Sequence, residues 1–211
     1  MKKKNKKDMK KKVGLFMGSF DPIHVGHIAV ITKVLNLGLV DEVFIVTTPG
    51  NPWKEEPGAS FEQRNLIICQ TLGNEYQRLR SKVFIIHGGD DNWNVEPFRD
   101  KEDGQFYSYI QLGLIKEKYP ENDYYIIGGT DVKESISRWK NSAWILENFK
   151  FLPVLRAGMG EGDTDENYPL PPMLLSSTDI RNAIKSGHNP VPYIAESTWD
   201  IIKDYKLYGL Q

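Results

Sequence analysis

Apolar residues in this chain fall into two alternating patterns, short unbroken runs and longer stretches with apolar positions three or four apart. Val13–Met17 reads as a buried strand, followed by a turn and a helix from His24 to Leu37. Glu42–Thr48 is a second strand, Phe61–Leu72 a helix and Lys82–Ile86 a third strand. Beyond a polar stretch, Tyr107–Lys118 reads as a helix and Tyr124–Ile127 as a fourth strand. A helix near Trp144, a strand at Lys150–Leu155 and helices at 178–186 and 192–204 complete the pattern. Strands rich in β-branched and aromatic residues, separated by helices of about ten residues, predict βαβ units and an α/β fold with a mostly parallel sheet, helices on both faces and a small C-terminal helical part. In such sheets ligands bind beyond the carboxyl ends of the strands. Two polar segments, 88–106 and 157–173, are long enough to be lids or insertions.

Charge changes the picture at one end. Of 27 basic and 28 acidic residues, eight lysines and one aspartate fall in the first twelve positions, leaving 19 against 27, or -8, for the body. A self-repelling stretch with methionine as its only apolar type cannot offset the entropy of ordering. Residues 1–12 are therefore expected to form a disordered tail, with 13–211 as a single domain. Lysine clusters attract polyanions, but no aromatic residue interleaves these lysines to stack on bases, so a solvated end is the expectation and nucleic acid is not an expected partner. No run of eighteen apolar residues occurs, which excludes a membrane-spanning helix, and no apolar segment follows the lysines as in a secretory signal. The lone Cys69 offers no disulfide framework and suits a reducing compartment, so a cytoplasmic location is expected.

Chemistry concentrates after the first strand, in Gly18-Ser19-Phe20-Asp21-Pro22-Ile23-His24-Val25-Gly26-His27, which holds two of the four histidines. Gly18 and Ser19 allow a tight turn whose N–H groups can face an anion, and the following helix adds its positive end. His24 and His27 sit one helical turn apart, where two imidazoles can donate to phosphate oxygens. A second cluster is Leu175-Ser176-Ser177-Thr178-Asp179-Ile180-Arg181. One of Ser176, Ser177 and Thr178 can cap a helix ending at Gly187, and Arg181 in its first turn can take a phosphate bidentately.

The first segment resembles the H-x-G-H signature of the nucleotidylyltransferase superfamily, and its wording is most similar to bacterial nicotinate-nucleotide adenylyltransferases. The second resembles that family's I-S-S-T-x-[IV]-R signature. The resemblance implies a Rossmann-like nucleotidyltransferase fold that binds ATP through Gly18, Ser19, Phe20, Gly26, Ser177 and Thr178, with His24, His27 and Arg181 on the phosphates. Gly128-Gly129-Thr130-Asp131 with Trp139 is similar to a G-x-D…W segment, which would put Gly129 and Asp131 at the adenosine and stack Trp139 on a pyridine ring; an ordinary capped helix with a core tryptophan fits the same residues. Pro49–Lys54 resembles a P-x-x-P-P-H-K segment, with Trp53 in place of histidine and Lys54 facing phosphate. Arg64 lines up with a family arginine and reads equally well as a surface residue. Tyr107 and Ser108 begin a stretch similar to the Y-T-x-D-T-L helix beside the nicotinate nucleotide, with Ile110 and Gln111 departing from it. Val191–Ile194 and Tyr205–Tyr208 look like the family's closing pattern.

The implied reaction is adenylyl transfer from ATP to nicotinate mononucleotide. Alternatives are the same transfer to nicotinamide mononucleotide, another adenylyltransferase such as the phosphopantetheine enzymes, or a nucleotide-sensing or nucleic-acid-binding module. No dense carboxylate or Cys/His cluster occurs, so no protein-held metal site is expected, and Mg²⁺ is expected to arrive with ATP.

Overall fold

A computed structural model describes residues 10–50, 56–86, 95–154 and 175–210, the side chains of Thr130 and Asp131 excepted. Five parallel strands, β1 (Lys12–Gly18), β2 (Glu42–Thr47), β3 (Val83–Ile86), β4 (Asp123–Gly129) and β5 (Lys150–Val154), form one sheet in the order β3-β2-β1-β4-β5. The helices are α1 (Val25–Asn36), α2 (Phe61–Asn74), α3 (Ser108–Lys118), α4 (Thr130–Ser135), α5 (Ser142–Asn148), α6 (Ser177–Lys185) and α7 (Glu196–Asp204).

Side chains alternate across a strand, and here both alternate sets are apolar, as a sheet covered on both faces requires. Phe16, Val43, Ile45 and Ile127 pack beneath α1, α2, α6 and α7. Val13, Leu15, Phe44 and Ile126 pack beneath α3 and α5. The chain builds outward from β1 to β3, then returns to place β4 on the other side of β1. Connections thus diverge between β1 and β4, and at such a switch point the strand ends open a crevice. The 18–27 turn follows β1 and the Gly128–Gly129 pair ends β4, so both face it.

Two boundaries differ from the sequence pattern. Lys12 begins β1 and Lys11 leads into it, so neither belongs to the tail: Asp123 N–H donates to the Lys11 carbonyl and Asp41 N–H to the Lys12 carbonyl, both at 2.8 Å, while the Asp41 carboxylate accepts Lys12 N–H at 2.9 Å. The helix predicted at 192–204 begins only at Glu196. Residues 190–193 turn instead, Tyr193 N–H donating to the Pro190 carbonyl while its own carbonyl accepts Val25 N–H at 2.9 Å. The predicted stop of α6 holds, with Gly187 at φ 76° and His188 N–H reaching back to the Ala183 carbonyl. The 157–173 segment, residues 88–94 and the first nine residues lie outside the described residues.

The crevice is framed by buried polar groups. Arg64, on α2 and 1% exposed, spends its guanidinium on backbone carbonyls: Nε to Ala59 at 3.1 Å, Nη1 to Ser19 at 2.6 Å and Thr48 at 2.9 Å, and Nη2 to Pro49 at 3.1 Å. It is therefore not the surface residue that its place at a helix start permits. One planar cation joins the loops leaving β1 and β2 to the approach to α2, and burial lowers its pKa without discharging it. Asp21, also buried, completes the frame. Its carboxylate accepts Gly58 N–H at 2.8 Å, Ala59 N–H at 3.2 Å and the Tyr208 hydroxyl at 2.9 Å. Between these anchors Phe20 holds φ 49°, a left-handed conformation that costs a bulky residue about 1–2 kcal/mol and persists where neighbours over-determine it.

Arg64→Met leaves buried carbonyls without donors and is expected to destabilise the fold by about 3–5 kcal/mol in urea unfolding; Arg64→Lys, with its donors on one atom, restores only part. Burial first, then the Asp21 charge, pushes the Tyr208 hydroxyl far above its usual range. The folded state therefore keeps a proton that the unfolded chain releases near pH ~10, so this stability is full below that pH and falls as pH rises beyond it. Against Tyr208→Phe, wild type should lose its stability advantage in urea midpoints measured above about pH 10; parallel curves would refute the assignment.

Candidate active site

β1 ends where its last carbonyl, Gly18, accepts Thr48 N–H at 2.9 Å, and the chain then turns through Ser19 and Phe20 into the cis Asp21–Pro22 bond. His24 is not helical as its spacing suggests: with φ -145° and ψ 171° it is the N-cap of α1. Its Nδ1 accepts Gly26 N–H at 3.1 Å, and His24 N–H donates to His27 Nδ1 at 3.2 Å. A backbone N–H can only donate, so each neutral imidazole carries its proton on Nε2. The rings lie 3.7 Å apart at 33°, and His27 packs edge-on to Phe16 and Phe20. Two Nε2–H donors are thereby set side by side, held from behind by the backbone. The predicted positive helix end contributes less than expected, since Val25 N–H is bonded to Tyr193 and Gly26 N–H to His24.

The Ser176–Arg181 segment docks directly on this turn. Ser176 caps α6 through a reciprocal box with Asp179, whose carboxyl is lowered in pKa by the Ser176 hydroxyl and amide. Ser177 Oγ donates to the Pro22 carbonyl at 2.9 Å. Arg181 Nη1 donates to the Asp21 carbonyl at 2.8 Å and lies 3.6 Å from Asp21 Oδ2, while Nη2 donates to Thr178 Oγ1 at 3.2 Å. The two sequence clusters thus meet within hydrogen-bonding distance, and the half-exposed Arg181 is oriented without being buried.

Across the crevice, Gly129 is the N-cap of α4, without a side-chain cap bond. Gly128 lets the chain turn here, as an added Cβ would lie 3.1 Å from Val132. Trp139 follows the short 3-10 turn Ile136–Arg138, half-buried against the core beneath α3 and α5. Tyr107 is the N-cap of α3 and Ser108 its first residue. The Tyr107 hydroxyl donates to Asp103 Oδ2 at 3.0 Å. Lys54 and Trp53 lie outside the described residues, as does the side chain of Asp131. Among the described residues no group of three or more His, Cys, Asp or Glu side chains is placed to hold a metal.

Three residues of this region were not legible as its supports. Asp21 looks like one letter of a motif, and Tyr208 like a C-terminal aromatic. Gln111, where the family pattern has threonine, is buried and donates to the Thr47 carbonyl at 3.0 Å, tying α3 to the end of β2. Sequence could only have marked them as polar residues inside otherwise apolar stretches.

Comparison with known proteins gives the family. Residues 15–183 match the family model described as cytidylyltransferase-like. A Flavobacterium johnsoniae protein named "Probable nicotinate-nucleotide adenylyltransferase" is 30% identical over 208 residues, 93% of this chain and 98% of that one. A protein of the same name from Christiangramia forsetii is 29% identical, covering 95% and 100%. In structure, the Plasmodium falciparum nicotinic acid mononucleotide adenylyltransferase complexed with NaAD superposes with a TM-score of 0.74 at 24% identity, covering 95% of this chain and 98% of that one. Among the described residues no helix is long and apolar enough to cross a membrane. The sheet order, the histidine turn with α6 docked upon it, and these full-length matches together make the chain a member of the cytidylyltransferase-like nucleotidyltransferases, in the nicotinate-nucleotide adenylyltransferase family.

Proposed function

We propose that the protein transfers the adenylyl group of ATP to nicotinate mononucleotide, releasing pyrophosphate, in the NAD-forming chemistry of the cytoplasm. The observation that carries this reading is the meeting of Arg181 and Ser177 with Asp21 and Pro22, in the same turn that leads into His24 and His27. A 5′-phosphate oxygen attacks the α-phosphorus, a new P–O bond forms, and the bond to the bridging oxygen of pyrophosphate breaks with its electron pair. The attacking phosphate is already ionised, so catalysis is positioning and charge neutralisation without a strong general base.

In this reading His24 and His27, with the amides of Ser19 and Phe20, face the reacting phosphate. Lys54, Arg181 and Thr178 hold the departing pyrophosphate. Gly18, Gly129, Asp131 and Ser177 line the ATP side, and Trp139, Tyr107 and Ser108 the pyridine side. Among the described residues, the carboxylates near the turn are committed elsewhere: Asp21 to Gly58, Ala59 and Tyr208, and Asp179 to Ser176. Mg²⁺ would instead arrive with ATP and supply neutralisation of the triphosphate charge.

His27→Ala is expected to lower turnover about 10²–10³-fold with the fold intact; turnover within about threefold of wild type would remove His27 from the chemistry. Arg181→Ala is expected to raise KM for ATP. Pyrophosphate release, assayed with nicotinate mononucleotide, nicotinamide mononucleotide and phosphopantetheine in parallel, should be fastest with the first; silence with both pyridine nucleotides refutes the reading.

A further inference from the structure

The residue after Trp139 is a lysine whose charge is wholly engaged. Lys140 Nζ lies 2.8 Å from Asp100 Oδ2, 3.2 Å from Asp103 Oδ2 and 3.4 Å from Glu102 Oε2. It also sits 4.8 Å from the centroid of the Tyr107 ring. Asp100, its nearest partner, has a side chain only 2% exposed, and its carboxylate is met by donors: Glu102 N–H at 2.8 Å on Oδ1, and the Tyr109 hydroxyl at 2.6 Å together with Lys140 on Oδ2. Asp103 Oδ2 accepts from both Lys140 and the Tyr107 hydroxyl.

The carboxylates belong to a small lobe with its own internal order. Arg99 and Phe106 form an antiparallel bridge with the guanidinium 4.3 Å over the ring, Asp100 N–H donates to the Gln105 carbonyl at 2.8 Å, and Phe98 is buried beside Phe61. On the other side, Lys140 lies in a tight turn closed by Ser142 N–H on the Trp139 carbonyl at 3.1 Å, with Asn141 at φ 59°. One ammonium therefore joins two backbone segments that carry Trp139 and Tyr107, with no other described side chain of the turn ion-paired to the lobe.

We propose that Lys140 is a positioning residue: clamped by Asp100 and Asp103, it fixes the Trp139 turn relative to the Tyr107 end of α3 and so shapes the pyridine pocket without contacting substrate. The proposal rests on the reading that Trp139 and Tyr107 bracket the pyridine nucleotide. A lysine beside the stacking tryptophan invites a different role, as the cation for an acidic group on the substrate. The geometry argues against it, because three carboxylates surround one ammonium and an incoming anion would meet net negative charge at short range. Asp100 and Lys140 stay ionised throughout the neutral range: Lys140 holds the Asp100 carboxyl well below the usual carboxylate range and Asp100 holds the Lys140 ammonium above its own, while the Tyr109 hydroxyl, pushed up to about 12 by its bond to Asp100, keeps its proton.

The two roles differ in sign. If Lys140 positions Trp139, Lys140→Met and Asp100→Asn each raise KM for the pyridine mononucleotide about tenfold, leaving KM for ATP and kcat nearly unchanged. The double variant is then no worse than the worse single one, and Lys140→Arg, which keeps the charge and reaches both carboxylates, restores most of the loss. If Lys140 binds the substrate anion, removing its competitor Asp100 tightens pyridine binding while Lys140→Met weakens it, and opposite shifts overturn the proposal. So do unchanged values in both variants, or equal rises in KM for ATP. Thermal unfolding checks that each variant folds, and Tyr109→Phe, which deletes one hydroxyl from Asp100, must move the same KM upward by a smaller factor. Trp139→Ala separates the two levels: a pyridine KM that it leaves unmoved refutes the pocket assignment itself, whereas a raised value with silent Lys140 variants refutes only the positioning role.

Discussion

A buried guanidinium donating to four backbone carbonyls holds together the part of this protein where chemistry is expected. Arg64 reaches Ser19 after β1, Thr48 and Pro49 after β2, and Ala59 before α2, so the β1–α1 connection and both ends of the β2–α2 connection share one planar anchor. Isolated burial of such a charge is costly, and the compensation here is geometric: carbonyls converge on the fork of donors. Asp21 then closes the arrangement with the opposite charge, accepting amides from the same approach to α2. A left-handed Phe20 survives between them because both of its neighbours are pinned.

From that frame the positions of the functional groups follow. His24 stops being part of the helix and becomes its cap, which turns both imidazoles so that Nδ1 faces backbone and the proton stays on Nε2. Arg181 arrives from α6, far away in the chain, and is oriented by the Asp21 carbonyl and Thr178. Counted from Lys11, where the sheet begins, the body carries 21 basic and 27 acidic residues, or -6, yet the proposed substrates are anions. Long-range attraction is thus absent and recognition must work at contact distance, within a Debye length of about 10 Å, through oriented N–H donors and a few cations. On the proposed pyridine side, Lys140 is likewise committed to Asp100 and Asp103.

The parallel sheet and the two polar clusters that meet beyond the end of β1 were legible along the chain. Each strand is a local apolar run, Gly187 stops a helix by its own conformational freedom, and the GSFDPIHVGH segment carries its turn, histidines and helix start within ten residues. What depends on partners distant in sequence was not legible. Arg64 reads as well for a surface residue as for a buried strut, since nothing nearby shows that Ser19 and Thr48 will present carbonyls to it. His24 and His27 have helical spacing, and only the packing of Tyr193 against Val25 and of Phe20 against His27 shows where the helix begins.

The sequence by itself determined the fold class, the order of the elements and the residue types available for phosphate chemistry, because these depend on periodicity and on turn residues acting within a few positions. The tertiary structure decided the hydrogen-bond roles: which nitrogen of each histidine keeps its proton, that Asp21 is committed to Gly58, Ala59 and Tyr208, and that Lys140 answers to Asp100 and Asp103. Those assignments are made by groups that meet only when the loops at the strand ends converge, and a polar side chain carries no local mark of the partner it will find.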